Sequence, residues 1–221
     1  MPNLFRLDAS IFPDGSRSRA LADLAEAEFV AAFPDATVTR RHVGTDPISA
    51  TAWAAAVTAG FAPADSHTDE QKAAVALAAQ IVDELENADA LLFAVPLYNF
   101  GVSQHFKTYV DLAITDPRLA AGAEPVIAGK PTILATVRGG AYGEGTPRAG
   151  WDHATGWMQR ILGDVWQTDL HTVENEFTLV GVNPALDEFK ELAATLRTDA
   201  ETLAAEHGRT VAGALTASAA G

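Results

Sequence analysis

The fold is decided by an apolar run and the turn that follows it, which together read ALLFAVPLYNFG at residues 90–101. Residues 90–95 contain no polar side chain, and this pattern predicts a strand covered on both faces, as at the centre of a parallel sheet. Working outward from this run, the same reasoning predicts four more strands, at residues 4–9, 36–42, 131–137 and 169–173.

Helical patterns occupy the segments between these strands. Apolar spacing predicts helices at residues 18–33, 48–57, 69–86, 104–112, 151–162 and 186–207. Strands that alternate with helices predict an α/β fold, in which helices cover both faces of a parallel sheet. Ligands of such sheets bind at the carboxyl ends of the strands, near the point where strand order reverses. The loops after the first, third and fourth strands are therefore the expected functional loops.

The composition indicates one folded domain. The chain has 221 residues, of which 48% are apolar and 20% charged, and this favours a single domain at residues 1–208 with a frayed Ala/Gly-rich tail at 209–221. The formal net charge of −14 argues against binding to nucleic acid or anionic membranes. No apolar run approaches the roughly 18 residues of a membrane span, and the first residues lack a basic start followed by an apolar segment, so a cytoplasmic location is expected.

Cysteine and histidine usage limits the possible chemistry. The chain has no cysteine, which excludes disulfides, thiolate nucleophiles, iron–sulfur clusters and cysteine-bound zinc. The six histidines form no pair at the spacing of ligands on a helix, so no metal site is predicted.

The loop after the first strand has the chemistry of a phosphate site. Ser10, Ser16 and Ser18, with Arg17 beside them, lie where a strand passes into a helix. N–H groups at a helix start lack acceptors, and that end carries about half a positive charge, so a phosphate is stabilised there. The alternative is that a serine only caps the helix, which is common for a single serine.

The loops after the third and fourth strands suit a flat aromatic ligand. Residues 96–101 place two aromatic rings and an amide at a strand end, where they could stack on and hydrogen-bond to a heteroaromatic ring. Residues 137–145 contain adjacent glycines, which let the backbone approach a ligand closely. Each loop has a structural alternative: a turn that packs Tyr98 and Phe100 into the core, and a flexible loop with an incidental Arg138. Because all three loops follow predicted strands, their combination favours one binding site.

Four segments resemble the FMN-dependent NADH-azoreductase family of flavodoxin-like quinone and azo-compound reductases. They are the spaced serines of residues 10–18, the Tyr-Asn-Phe segment at 94–100, the pattern Ser103, Lys107, Tyr109, Asp111, Leu112, and the Arg-Gly-Gly triplet at 138–140. The resemblance implies a flavodoxin-like three-layer α/β sandwich with a five-stranded parallel sheet in the order 2-1-3-4-5. It also implies a homodimer with FMN and substrate at the subunit interface.

The resemblance further implies roles for single residues. Ser10, Ser16, Arg17 and Ser18 would hold the FMN phosphate, and the amides of Gly139 and Gly140 would face the pyrimidine end of the isoalloxazine. The other residues expected around the ring are Pro96, Leu97, Tyr98, Asn99, Phe100, Val137, Arg138 and Tyr142. Since the flavin carries the chemistry, no catalytic side chain is certain; the candidates are Tyr98, Tyr142 and Arg138, with His153 as a further candidate proton donor.

The chain departs from the family pattern in three places. Val137 stands where the family usually has Ser or Thr, and Tyr142 stands where relatives often carry another ring or a histidine. Residues 113–129 look shorter than their counterpart and lack the usual aromatic-rich hairpin near the acceptor pocket. FMN binding tolerates these differences better than the assignment of the acceptor does.

The expected reaction is ping-pong hydride transfer from NADH or NADPH, through bound FMN, to an organic acceptor such as a quinone or an azo compound. Three alternatives stay open at this point: a flavodoxin-type electron carrier that docks on a basic protein partner, an FMN reductase that supplies a monooxygenase, and a family member repurposed for a specialised biosynthetic step. NADH oxidation without a partner protein separates the enzyme from the carrier, and flavin retained on purification separates it from the reductase that releases flavin.

Overall fold

The computed structural model describes residues 1–220 and is built around one sheet. Its strands in chain order are β1 (Asn3–Asp8), β2 (Thr37–Arg41), β3 (Ala90–Tyr98), β4 (Gly101–Val102), β5 (Pro131–Val137) and β6 (Asp169–Asn175). The order across the sheet is β2-β1-β3-β5-β6, and all neighbours on this path are parallel. The predicted flavodoxin-like order is confirmed, with the two-residue β4 added as an antiparallel partner of β3.

Helices cover both faces of this sheet. They are α1 (Arg17–Ala32), α2 (Ala52–Ala59), α3 (Asp69–Glu86), α4 (Gln104–Ala113), α5 (Thr155–Gln159) and α6 (Lys190–Ala220). The core on one face packs the sheet against α1 and α6, and the core on the other packs it against α2, α3, α4 and α5. None of the helices within residues 1–220 combines the length and the apolar character needed to cross a membrane.

Side chains of the central strands alternate between the two cores. Leu92 faces α1 and α6, whereas its neighbours Leu91 and Phe93 face the opposite layer, as the two-residue period of a strand requires. Phe93 is fully buried and contacts the ring of Phe5 on β1 and that of Phe106 on α4, with centroids 6.1 and 5.8 Å apart. β3 is apolar over residues 90–97 because both of its faces are covered.

Two predicted helices have different bounds in the structure. The helix predicted at 48–57 begins later, as α2, and the one predicted at 151–162 is replaced by the short α5 and a π-helical segment, Arg160–Val165. α5 starts where the Asp152 carboxylate accepts the amides of Ala154 and Thr155, over 2.8 and 2.9 Å, so residues 151–153 stay outside the helix.

The tail predicted to be frayed at 209–221 is helical as far as the structure describes it. α6 continues through Ala220, and Val211 and Ala212 are buried in the core beneath α1. Gly208 allows the two helices to approach closely, because a Cβ added there would lie 2.4 Å from the Ala25 carbonyl oxygen. The prediction was wrong for residues 209–220 because an alanine-rich face can pack tightly on a second helix; Gly221 lies outside the described residues.

Candidate functional site

A cleft of about 420 Å³ opens at the carboxyl edge of the sheet, among the loops that follow β1, β3, β5 and β6. Three of these are the loops expected from the sequence. The structure brings eight of the predicted site residues to this cleft: Ser10, Ser16, Arg17, Pro96, Leu97, Tyr98, Val137 and Gly139. Residues from all three predicted loops therefore share one cavity.

The first loop offers both a helix cap and free donors. Ser16 is the N-cap of α1, and its Oγ accepts the Arg19 amide over 3.3 Å, as the capping alternative anticipates. The buried Ser18 hydroxyl lies 3.2 Å from that of Ser16. Within residues 1–220, the amides of Arg17 and Ser18 in the first turn have no acceptor. Capping by Ser16 thus leaves two amide donors of the helix start without a protein acceptor, which is the arrangement that an anion can use.

Tyr98 fixes this loop to the end of β3. Its hydroxyl accepts the Ile11 amide over 3.2 Å and lies 3.4 Å from the hydroxyl of Ser10. Ser10, which is almost completely buried, in turn accepts the Phe12 amide over 3.3 Å. The phosphate-type loop and the aromatic turn are held together by this chain of contacts, so neither is free to move independently.

The turn after β3 is built from two residues with left-handed backbone. Asn99 and Phe100 have φ values of +48° and +68°, a conformation that costs a bulky side chain energy. Both stay out of the cleft lining. Phe100 is 36% exposed and meets the rings of Trp151 and Tyr142 edge-on, with centroids 5.4 and 6.1 Å away. The Arg148 guanidinium lies 5.7 Å from the Phe100 centroid, so these groups form an aromatic wall beside the cleft.

Arg138 points away from the cleft, contrary to its expected place beside the ring. Its guanidinium is buried among three carboxylates: it pairs with Asp152 and Glu176, each over 3.0 Å, and with Glu174. Glu176 also accepts the Tyr142 amide over 2.9 Å. Burial alone would raise the pKa of Asp152, but hydrogen bonds from Thr155 and Ala154 and the charge of Arg138 lower it. Arg138 therefore organises the loop after β5.

Gly140 and Tyr142 line a second cavity of about 500 Å³, which shares Gly139 and Leu179 with the cleft. A Cβ at Gly139 would lie 2.6 Å from Leu179 Cδ1, so the Leu179 side chain would have to shift if this position carried a side chain. The amides of Gly139 and Gly140 donate no hydrogen bond within the described residues. They are therefore available to a ligand.

Sequence reasoning missed the loop after β6. Thr178, Leu179 and Val182 line the cleft, and the last two are exposed apolar side chains. The available signal was topological: a loop that follows the fifth parallel strand emerges at the same edge of the sheet as the other three. Apolar residues in such a loop indicate contact with a ligand or a partner.

Residues 113–129, where the family hairpin was expected to be absent, begin with the last residue of α4 and contain no other helical or strand residue in the part of the chain that the structure describes. Leu119 and Ile127 anchor this segment in the core. Arg118 binds Asp116 within the segment and, over 2.6 and 2.7 Å, Asp83 and Glu86 of α3. The segment packs on α3 and contributes nothing to the lining of the cleft.

Comparison with known proteins agrees with this geometry. A family model described as a flavodoxin-like fold matches residues 2–199. A Frankia alni protein named FMN-dependent NADH:quinone oxidoreductase is 39% identical over 204 residues, which cover 91% of this chain and 96% of the relative. A Streptomyces avermitilis protein of the same name is 34% identical over 213 residues, 96% of this chain and 98% of that one.

Solved structures give the same fold. An azoreductase from Bacillus anthracis aligns with 95% of this chain and 100% of its own, with a TM-score of 0.76 and 22% identity. A second structure from that species, an FMN-dependent NADH-azoreductase in complex with FMN, aligns with 93% and 99% of the two chains, with a TM-score of 0.70 and 15% identity. At these identities the likeness establishes the fold alone.

Proposed function

Because this chain belongs to the family with the flavodoxin-like fold, we propose that it is an FMN-dependent NADH:quinone oxidoreductase that also accepts azo compounds. The resemblance to the azoreductase family is confirmed by the relatives and by the fold. The observation that carries the proposal is the cleft of about 420 Å³, which joins a helix start rich in serine to apolar strand ends and a glycine. This combination suits a ligand with a phosphate at one end and a flat ring at the other.

We place the FMN phosphate at the start of α1. The free amides of Arg17 and Ser18, together with the hydroxyls of Ser16 and Ser18, supply donors in a region of positive helix potential. Ser10 is already engaged by Phe12 and Tyr98, so its role is to shape the loop around the phosphate.

We place the isoalloxazine between the strand ends. Pro96, Leu97 and Val137 offer an apolar surface, and Val137 in place of the family hydroxyl makes this surface drier. The free amides of Gly139 and Gly140 can stabilise negative charge on the reduced ring, a task for which the buried Arg138 is badly placed.

FMN held in this cleft would supply the redox chemistry, which is hydride transfer between NADH and the acceptor. The protein binds and orients both substrates. Phe100 and Trp151 provide a wall on which a quinone or an azo compound can stack and which excludes water. The Tyr98 hydroxyl is occupied by Ile11 and Ser10, which leaves Tyr142 and His153 as the candidate proton donors.

We further propose that the chain is a homodimer with the site at the subunit interface. Three aromatic side chains near the cleft are strongly exposed for their size: Phe12 at 56%, Trp151 at 50% and Phe100 at 36%. Exposed aromatic surface of this kind favours association. Light scattering after gel filtration, on the wild type and on Trp151→Glu, tests this: a dimer that dissociates in the variant supports the interface, and a monomeric wild type contradicts it. A cytoplasmic location, where NADH is available, completes the proposal.

The first test is the visible spectrum of the protein purified without added flavin, followed by anaerobic addition of NADH. Flavin bands that bleach with NADH and return when a quinone is added are the expected result. Turnover without a partner protein also argues against an electron carrier. A colourless protein that does not bind added FMN would overturn the proposal.

A further inference from the structure

A third, smaller pocket adjoins the cleft at Arg17. It has a volume of about 180 Å³ and is lined by the start of α1, the first two turns of α6 and residues 175–180. Arg17 and Thr178 line both cavities. The pocket is therefore a direct neighbour of the proposed FMN phosphate position, and it is large enough for one small anionic group.

The charged groups in the lining of this pocket are all cationic: they are Arg17, Lys190 and Arg197. Lys190 and Arg197 are seven residues apart on α6 and so lie on one face of the helix. Their acidic partners are Asp187 and Glu201, at 3.2 and 2.7 Å, and neither of these lines the pocket. Arg17 has no ion-pair partner in the part of the chain that the structure describes. In a protein with a net charge of −14, this is an unusual concentration of positive charge.

Asn175 adds an unsatisfied polar group to the same pocket. It is the last residue of β6, is only 6% exposed, and its Nδ2 has no hydrogen-bond acceptor in the structure. Val173, two residues earlier and hence on the same face of the strand, packs into the core under α1 and α6. The amide of Asn175 therefore points toward the helices that bound the pocket. A buried donor without an acceptor calls for an explanation, and a bound anion supplies one.

We propose that Arg17, Lys190, Arg197 and Asn175 form an anion subsite that binds a second phosphate group beside the phosphate of FMN. Three cationic side chains and one amide donor match the acceptor oxygens of a phosphate, and Arg17 links the two positions. The pocket is too small for a nucleotide, so it receives either free phosphate or one phosphate of a larger ligand such as the nicotinamide dinucleotide. The inference rests on the proposed function for the flavin position.

The test is calorimetric titration of inorganic phosphate into the FMN-saturated protein in a phosphate-free buffer of low ionic strength. Saturable binding by the wild type that is weakened at least about fivefold in Arg197→Gln is the expected result, since a charge-assisted contact of this kind is lost. Arg160→Gln is the matched control because Arg160 also pairs with a carboxylate four residues on, over 2.8 Å, far from the pocket. It should bind phosphate like the wild type. No saturable binding by the wild type, or equal loss in both variants, overturns the subsite.

Two further measurements separate the sources of phosphate and the two proposals. If phosphate raises the KM for NADH or NADPH at constant kcat in the wild type, and does so less in Arg197→Gln, the occupant is the dinucleotide. If phosphate binds without competing with the dinucleotide, the occupant is free phosphate. FMN binding is followed separately by quenching of flavin fluorescence. If the wild type binds no FMN, the proposed function is wrong. The subsite is then tested by titrating phosphate into the flavin-free protein and into the same two variants.

Discussion

The carboxylate of Glu176 lies 3.0 Å from the guanidinium of Arg138, and the oxygen that makes this contact also accepts the amide of Tyr142. One side chain at the end of β6 thus holds the loop after β5 at two points. Arg138 also forms an ion pair with Asp152, so the network connects the strand ends to the start of α5.

Removing the Glu176 carboxylate should loosen this loop. In Glu176→Ala, Arg138 loses one of its partners and the Tyr142 amide loses its acceptor, which we expect to cost about 1–3 kcal/mol of unfolding free energy. FMN affinity should fall as well, because Gly139 and Gly140 belong to the same loop. Urea unfolding and fluorescence titration measure the two effects. Glu144→Gln, an exposed carboxylate of that loop, is the control; equal behaviour of the two variants would contradict the prediction.

Gly139→Ala should weaken FMN binding by about one to two orders of magnitude, or 1.4–2.8 kcal/mol. The added methyl group would lie 2.6 Å from Leu179 Cδ1 and 2.9 Å from its Cγ, so Leu179 must move into the cleft or the loop must retreat. Gly143→Ala is a matched substitution in the same loop, since a Cβ there has no neighbour within 4 Å. A Gly139→Ala protein that binds FMN as tightly as Gly143→Ala would contradict this prediction, because the Leu179 side chain would then have moved aside without taking space from the flavin.

Tyr98→Phe should reduce FMN affinity about fivefold, by loss of a hydrogen bond that contributes roughly 1 kcal/mol. The hydroxyl is the acceptor for the Ile11 amide, and without it the loop proposed to hold the phosphate loses this contact with β3. Titration of the flavin-free variant with FMN gives the dissociation constant. An unchanged value would mean that the loop is positioned by its other contacts, such as the Ser16 cap.

Tyr109→Phe should leave the free energy of unfolding unchanged or raise it by up to about 1 kcal/mol. The Tyr109 hydroxyl is completely buried and has no hydrogen-bond partner in the structure, and burial raises the pKa of this phenol well above its ordinary value. The ring itself stacks on Phe106, with centroids 6.3 Å apart, and phenylalanine preserves that contact. Thermal unfolding of the variant and of the wild type measures this difference in stability. A marked loss of stability in the variant would reveal a buried partner for the hydroxyl.

His207 should make the protein less stable in mild acid. Burial lowers the pKa of His207, and the ring of His171, with its centroid 5.3 Å away, adds to this, while the Thr172 carbonyl and Glu206 oppose it. The unfolded chain keeps the ordinary pKa of about 6.5 and binds the proton more readily, so stability is lost as the pH falls below that value. His207→Gln should flatten this dependence between pH 7.5 and 5.5, as followed by urea unfolding. His105→Gln, on the opposite face of the sheet, should retain the wild-type slope.

Most of the fold could be predicted because its central strands are apolar on both faces. β3 is an uninterrupted apolar run, and β1 and β5 are mainly apolar, although β1 contains Arg6 and Asp8. The handedness of the crossovers then restricts the strand order. The same logic places the loops after these strands together, and the contact between Ser10 and Tyr98, 88 residues apart, follows from it.

What the sequence could not predict depends on contacts between distant residues. Nothing near Arg138 indicates that its side chain turns toward Glu174 and Glu176, because these carboxylates arrive only with β6. The helical end of the chain was missed for a related reason: its alanines have little apolar surface of their own and become a core only against α1. The loop with Leu179 follows the weakest predicted strand, so it was overlooked.

The left-handed turn at Asn99 and Phe100 sets two selective pressures against each other. Glycine at position 100 would remove the conformational strain of the left-handed backbone, so selection for heat resistance alone would favour glycine there. Selection for turnover would keep the ring, which contacts Trp151 and Tyr142 beside the cleft. A library screened only for survival on heating should therefore accumulate colonies that tolerate high temperature yet reduce quinones poorly, with changes concentrated at this turn.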